Sequence, residues 1–97
     1  MKVVKDLSLV EKGEKVFVQF GASWCAPCKA MTSYIESSLE EKFGSVSFVK
    51  IDIEDCDQEL LKMYEVRSVP KVIIFDGGSV VTSFVGFNKE KITNSLI

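Results

Sequence analysis

The chain has 97 residues, 12 of them basic and 14 acidic, and is 46% hydrophobic and 27% charged. That length supports one compact domain, residues 1–97, able to bury somewhat more than ~60% of its unfolded surface without relying on disulfides. The net charge of −2, with acids and bases interleaved, leaves no basic stripe to track a phosphate backbone, so no nucleic-acid partner is expected. Apolar runs such as Val72-Ile73-Ile74-Phe75 stop far short of the ~20 residues needed to cross a bilayer, so no membrane role is expected. The chain has no histidine, which removes Ser-His-Asp and Cys-His nucleophile systems and every zinc site built on imidazole.

Met1 to Ser8 carries a charge every few residues, without an apolar core or a small-residue cleavage site, and reads as an unprocessed start of a cytoplasmic protein. Val16 to Phe20 is β-branched and aromatic and closes on Gly21, which predicts a strand. From Cys28, the apolar residues Met31, Tyr34, Ile35, Leu39 and Phe43 trace the stripe of an amphipathic helix ending at Gly44. Val46 to Ile53 reads as a strand with Val49, Ile51 and Ile53 on one face and Phe48, Lys50 and Asp52 on the other. Asp55 or Asp57 can cap a short helix running to Tyr64. Lys71 to Asp76 and Ser79 to Val85 form antiparallel strands around a Gly77-Gly78 turn, and Asn88 caps a last helix bearing Ile92 and Leu96. Strands alternating with helices, then a hairpin and a helix, imply an α/β fold: a central mixed sheet covered on both faces.

The chemistry concentrates in Trp24-Cys25-Ala26-Pro27-Cys28-Lys29, placed after a strand and at the mouth of a helix. Residues three apart on the first helical turn are neighbours, so Cys25 and Cys28 can open and close a disulfide without distorting the backbone. Cys25 falls where unpaired amide N–H groups and the helix dipole favour a negative sulfur, which makes it the natural nucleophile. Cys28, one turn further in and expected to be less exposed, can attack the mixed disulfide that Cys25 forms with a substrate. A structural zinc pair is the competing reading, but its remaining ligands would have to come from Cys56 and carboxylates.

With these residues in place, the sequence resembles the thioredoxin family. The hexapeptide is similar to that family's Trp-Cys-Gly-Pro-Cys-Lys site, with Ala26 replacing the glycine. Val16 to Phe20, Val49 to Ile53, Arg67-Ser68-Val69-Pro70 and Val85-Gly86 match further family segments in the same order, so the likeness covers about Lys15 to Ile97. The resemblance implies the thioredoxin fold and reduction of protein disulfides by dithiol exchange, with no bound cofactor beyond the redox-active Cys25–Cys28 disulfide and no metal. It implies disulfide-containing target proteins and a thioredoxin reductase, NADPH- or ferredoxin-linked, as partners of a monomer. It also implies a substrate groove from Trp24, Ala26, Pro27, Val69, Pro70 and Gly86, with a cis Val69–Pro70 bond leaving the Val69 backbone free to pair with a substrate strand.

Three positions depart from the family pattern. Ser33 stands where many members carry a helix-kinking proline, which puts a sharp bend in doubt. Gln19 stands where the family usually has a buried aspartate that handles the proton of the second cysteine, and an amide cannot act as that base. Lys50 matches a lysine that often pairs with this acid, leaving Gln19 and Lys50 as residues that tune the site. Ala26-Pro27 brings no charge beside the sulfurs, which places the pair among reductants. Cys56, between Asp55 and Asp57, is expected to have a raised thiol pKa and reads as a half-buried loop cysteine in preference to a regulatory thiol. Two other functions are compatible with the residues: a glutathione-dependent reductase like glutaredoxin, and an accessory binding subunit that uses the fold without redox chemistry.

Overall fold

The computed structural model describes residues 1–8, 10 and 13–97. Five strands, β1 (Lys2–Val3), β2 (Lys15–Gly21), β3 (Ser47–Asp52), β4 (Lys71–Asp76) and β5 (Ser79–Val85), form one sheet in the order β1-β3-β2-β4-β5. β2 occupies the centre, parallel to β3 and antiparallel to β4. Val16 to Phe20 are buried on both faces, which is why that segment is a continuous apolar run broken only by Gln19 instead of an alternating one. β1, absent from the sequence reading, is a two-residue edge strand parallel to β3, and neither of its exposed residues gives a periodic signal.

Helices α1 (Ala26–Tyr34) and α3 (Lys89–Leu96) cover one face, where Met31, Ile35, Leu39, Ile92 and Leu96 pack on Phe17, Phe48, Val72 and Ile74. Helix α2 (Gln58–Met63) lies on the other face, where Leu60, Leu61 and Tyr64 meet a core that includes Val18, Phe20, Val49, Ile51 and Phe75. The expected faces of β3 are therefore borne out, with Phe48 in one core and Val49 and Ile51 in the other. Asp57 caps α2 by accepting the Glu59 N–H at 3.0 Å, and Asn88 caps α3 by accepting that of Lys91 at 3.0 Å. The β4–β5 turn needs positive φ at both central residues, and Gly77 and Gly78 supply 62° and 87°.

The long helix expected from Cys28 to Phe43 requires correction. α1 ends at Tyr34, Ile35–Leu39 winds into a wider π turn, and Glu40 N–H donates to Ile35 O at 3.0 Å, a five-residue step. Met31, Ile35 and Leu39 stay on the core side throughout, so the apolar spacing that predicted a helix could not register one inserted residue. Ser33 is exposed within α1 and the helix runs through it unbroken.

Candidate active site

β2 ends at Gly21, and the chain turns through Ala22, whose carbonyl accepts the Cys25 N–H at 3.1 Å. Cys25 then takes extended geometry, φ −96° and ψ 104°, as the N-cap of α1. Its Sγ accepts the Cys28 N–H at 3.2 Å, satisfying one of the helix's otherwise unpaired first-turn donors. Pro27 sits in that same turn, where its missing N–H costs nothing. Cys25 and Cys28 are joined in a disulfide with their Cα atoms 5.3 Å apart.

Cys25 and Cys28 are covered almost equally, 5% and 4% exposed, so burial separates the two far less than the sequence reading expects. Ala22 joins them in a small buried cluster against which Ile53 and Val69 pack, so both sulfurs share one lid. What separates the cysteines is position on the helix, because only Cys25 has its sulfur at the cap.

The residues expected around the cysteines fall into two groups. Val69 packs on the disulfide cluster, the Val69–Pro70 bond is cis, and Gly86 N–H donates to Pro70 O at 2.8 Å, tying the end of β5 to the same loop. Gly86 holds φ 92°, a conformation that favours glycine. Ala26 and Pro27 are exposed, and Trp24 is 66% exposed with its Nε1–H donating to Glu54 Oε1 at 3.1 Å. Below the disulfide, Gln19 is 1% exposed: its Nε2 donates to Cys28 O at 3.0 Å and its Oε1 accepts the Thr32 hydroxyl at 3.2 Å. Lys50 is register-paired with Gln19 on β3, half-buried, and in an ion pair with no carboxylate among the described residues.

Thr32, Gly21 and Glu54 escaped the sequence reading. Thr32 had a signal, since it lies four residues after Cys28 on the same helix face. Gly21 read only as a strand end, and Glu54 as one acid among several. Cys56 is half-buried, and burial first, then the carboxylates of Asp52, Asp57 and Asp55, push its thiol pKa up as expected. No group of three or more Cys, Asp or Glu residues converges as a metal site among the described residues, which leaves the zinc reading without a ligand set. None of the described helices is long and apolar enough to cross a membrane.

The thioredoxin family model matches residues 5–97. The chain belongs to the thioredoxin family. Thioredoxin of Ovis aries is 41% identical over 86 residues, covering 88% of this chain and 80% of the relative. Human thioredoxin is 41% identical over 81 residues, covering 82% and 75%. A solved structure of Plasmodium falciparum thioredoxin superposes with a TM-score of 0.88 at 25% identity, covering 99% of this chain and 96% of that one. The mixed sheet with its helices is thus the thioredoxin fold, and with its cysteine pair the chain is a thiol–disulfide oxidoreductase that reduces disulfides. Relatives of this kind favour neither the glutaredoxin reading nor the redox-silent accessory one.

Proposed function

We propose that Cys25 is the nucleophile and Cys28 the resolving thiol of a thioredoxin that reduces target-protein disulfides. The Cys25 thiolate attacks one sulfur of the target disulfide; a Cys25–target bond forms as the target's own bond breaks, and the released target thiolate takes a proton from solvent. Cys28, deprotonated, then attacks Cys25 Sγ, closing the Cys25–Cys28 disulfide and expelling the second target thiolate. Two electrons pass to the target, and a thioredoxin reductase, NADPH- or ferredoxin-linked, returns them. One observation carries the assignment: Cys25 Sγ is the helix cap and accepts the Cys28 N–H, so backbone dipoles stabilise negative charge on that sulfur.

Trp24, Ala26, Pro27, Val69, Pro70 and Gly86 form the surface on which a target segment lies, in support of which Val69 touches the disulfide cluster and Gly86 is bonded to Pro70. Gln19 and Lys50 tune the site from below. The reading is of a monomeric electron carrier, a single domain over residues 1–97 working in the cytoplasm, where the pool of reduced thiols suits a reductant. The test is reduction of insulin disulfides with a small dithiol as electron source, then with NADPH and candidate reductases. Turnover above the dithiol background is expected, and equal activity in Cys25→Ser would overturn the nucleophile assignment.

A further inference from the structure

A resolving thiol must shed a proton before it can attack, and that proton needs a destination. The Gln19 amide beneath Cys28 cannot take it: neither end titrates, and both are committed, one to Cys28 O and one to Thr32. Among the described residues, the hydrogen bond made to either sulfur is that of the Cys28 N–H to Cys25.

Cys28 lines a cavity of about 450 Å³ in whose wall Val69 takes no part. Its walls run from exposed Ser23, Lys29, Ser33 and Glu36 at the surface down to buried Gln19 and Cys28. Gly21 forms part of the wall, and a Cβ there would stand 3.3 Å from both Cβ and Sγ of Cys28, tighter than ordinary contact, and 3.7 Å from Gln19 Nε2. A side chain at Gly21 would therefore crowd the Cys28 sulfur from the cavity wall. Lys29 from α1, Glu36 from the π turn, and Lys50 and Asp52 from β3 line the cavity, two positive and two negative groups whose balance favours neither anions nor cations.

We propose that the Cys28 proton leaves through this cavity to a small base delivered by solvent, with Gly21 holding the passage open. The proposal rests on the reading of Cys28 as the resolving thiol. In the step, the base takes the proton, the Cys28 thiolate attacks Cys25 Sγ, the Cys25–Cys28 bond forms, and the Cys25–target bond breaks with its electron pair leaving on the target sulfur. Gly21 acts as a positioning residue, and the cavity decides which bases reach the thiol.

The experiment uses the reduced protein and a chromophoric aromatic disulfide in stopped flow. Attack by Cys25 releases one coloured thiolate, and resolution by Cys28 releases the second. At fixed pH and ionic strength, the second-phase rate is expected to rise linearly with imidazole, while 2,4,6-trimethylpyridine, a base of similar strength too hindered to enter, gives a slope about tenfold smaller. Gly21→Ala is expected to reduce the imidazole slope, taken relative to the imidazole-free rate of the same protein, about tenfold, a change that mere displacement of Cys28 would not produce, since displacement lowers the rate without altering its relative response to base. The wild-type comparison of the two bases stands without that variant if Gly21→Ala fails to fold. Equal slopes for the two bases, or a second phase indifferent to both, would overturn the proton route while leaving the exchange intact. Persistence of the first phase in Cys25→Ser would instead overturn the underlying assignment.

Discussion

The two flanks of the disulfide are built on opposite plans. On the outer flank, Trp24, Ala26 and Pro27 lie exposed, and the Trp24 indole is held by one hydrogen bond to an exposed glutamate. On the inner flank, a fully buried amide spans the backbone of Cys28 and the hydroxyl of Thr32, locking β2 to α1. The outer flank spends little on stability and presents surface for binding. The inner one fixes the helix that carries both sulfurs. Substitutions on the two flanks should accordingly fail in different assays.

The largest effect tests the sulfurs on which both flanks converge. Cys25→Ser is expected to reduce disulfide-reductase turnover to the dithiol background. Cys28→Ser should lose turnover as well but accumulate mixed disulfides with target protein, visible as a mass increase reversed by excess dithiol. Next comes the inner flank: Gln19→Leu keeps the volume but strands the partners of the amide, and should lower unfolding free energy by about 1–3 kcal/mol in urea titrations. A smaller and opposite pattern is expected outside. Trp24→Ala should change stability by less than about 0.5 kcal/mol yet raise KM for a protein disulfide severalfold, with little change toward a small aromatic disulfide. If Trp24→Ala destabilised more than Gln19→Leu, the contrast between the flanks would fail.

The smallest effect belongs to Cys56, outside both flanks. Its pKa is raised in the folded state by burial and then by Asp52, Asp57 and Asp55, so on raising pH the unfolded chain ionises this thiol first. Stability should therefore decline as pH passes upward through the ordinary thiol range, and Cys56→Ser should remove that part of the decline. Denaturation midpoints of both proteins between neutral and mildly alkaline pH provide the check.

Local signals in the sequence were enough to reveal the strands from β2 onward, the cap at Asn88 and, as one of two candidates with Asp55, the cap at Asp57, because each rests on local chemistry. β1 was invisible because a two-residue strand owes its existence to the neighbouring β3 and not to its own residues. The π turn at Ile35–Leu39 hid for a related reason, since apolar spacing records which side chains face the core and not which carbonyl accepts which N–H. At the site, the cysteines, Trp24, Val69 and Pro70 were legible as a motif and its matching segments. Gln19 was legible as an anomaly, yet its bond to Thr32 required two elements to meet in space. Gly21 carried no signal, because what matters there is the atom it lacks.

The central position of β2 also sets how the molecule breathes. Its backbone is hydrogen-bonded to β3 on one side and β4 on the other, so amides from Phe17 to Gln19 should exchange with deuterium only through opening of the whole sheet. β5 pairs with one neighbour and should exchange faster through fraying. The cysteine turn hangs directly from the slow strand. Reduction of the disulfide should thus speed exchange at the first-turn amides of Cys28 and Lys29, whose acceptors are Cys25 Sγ and Cys25 O, while the β2 amides keep their rates. Redox cycling would then loosen one helical turn against a scaffold that does not register which state the sulfurs are in.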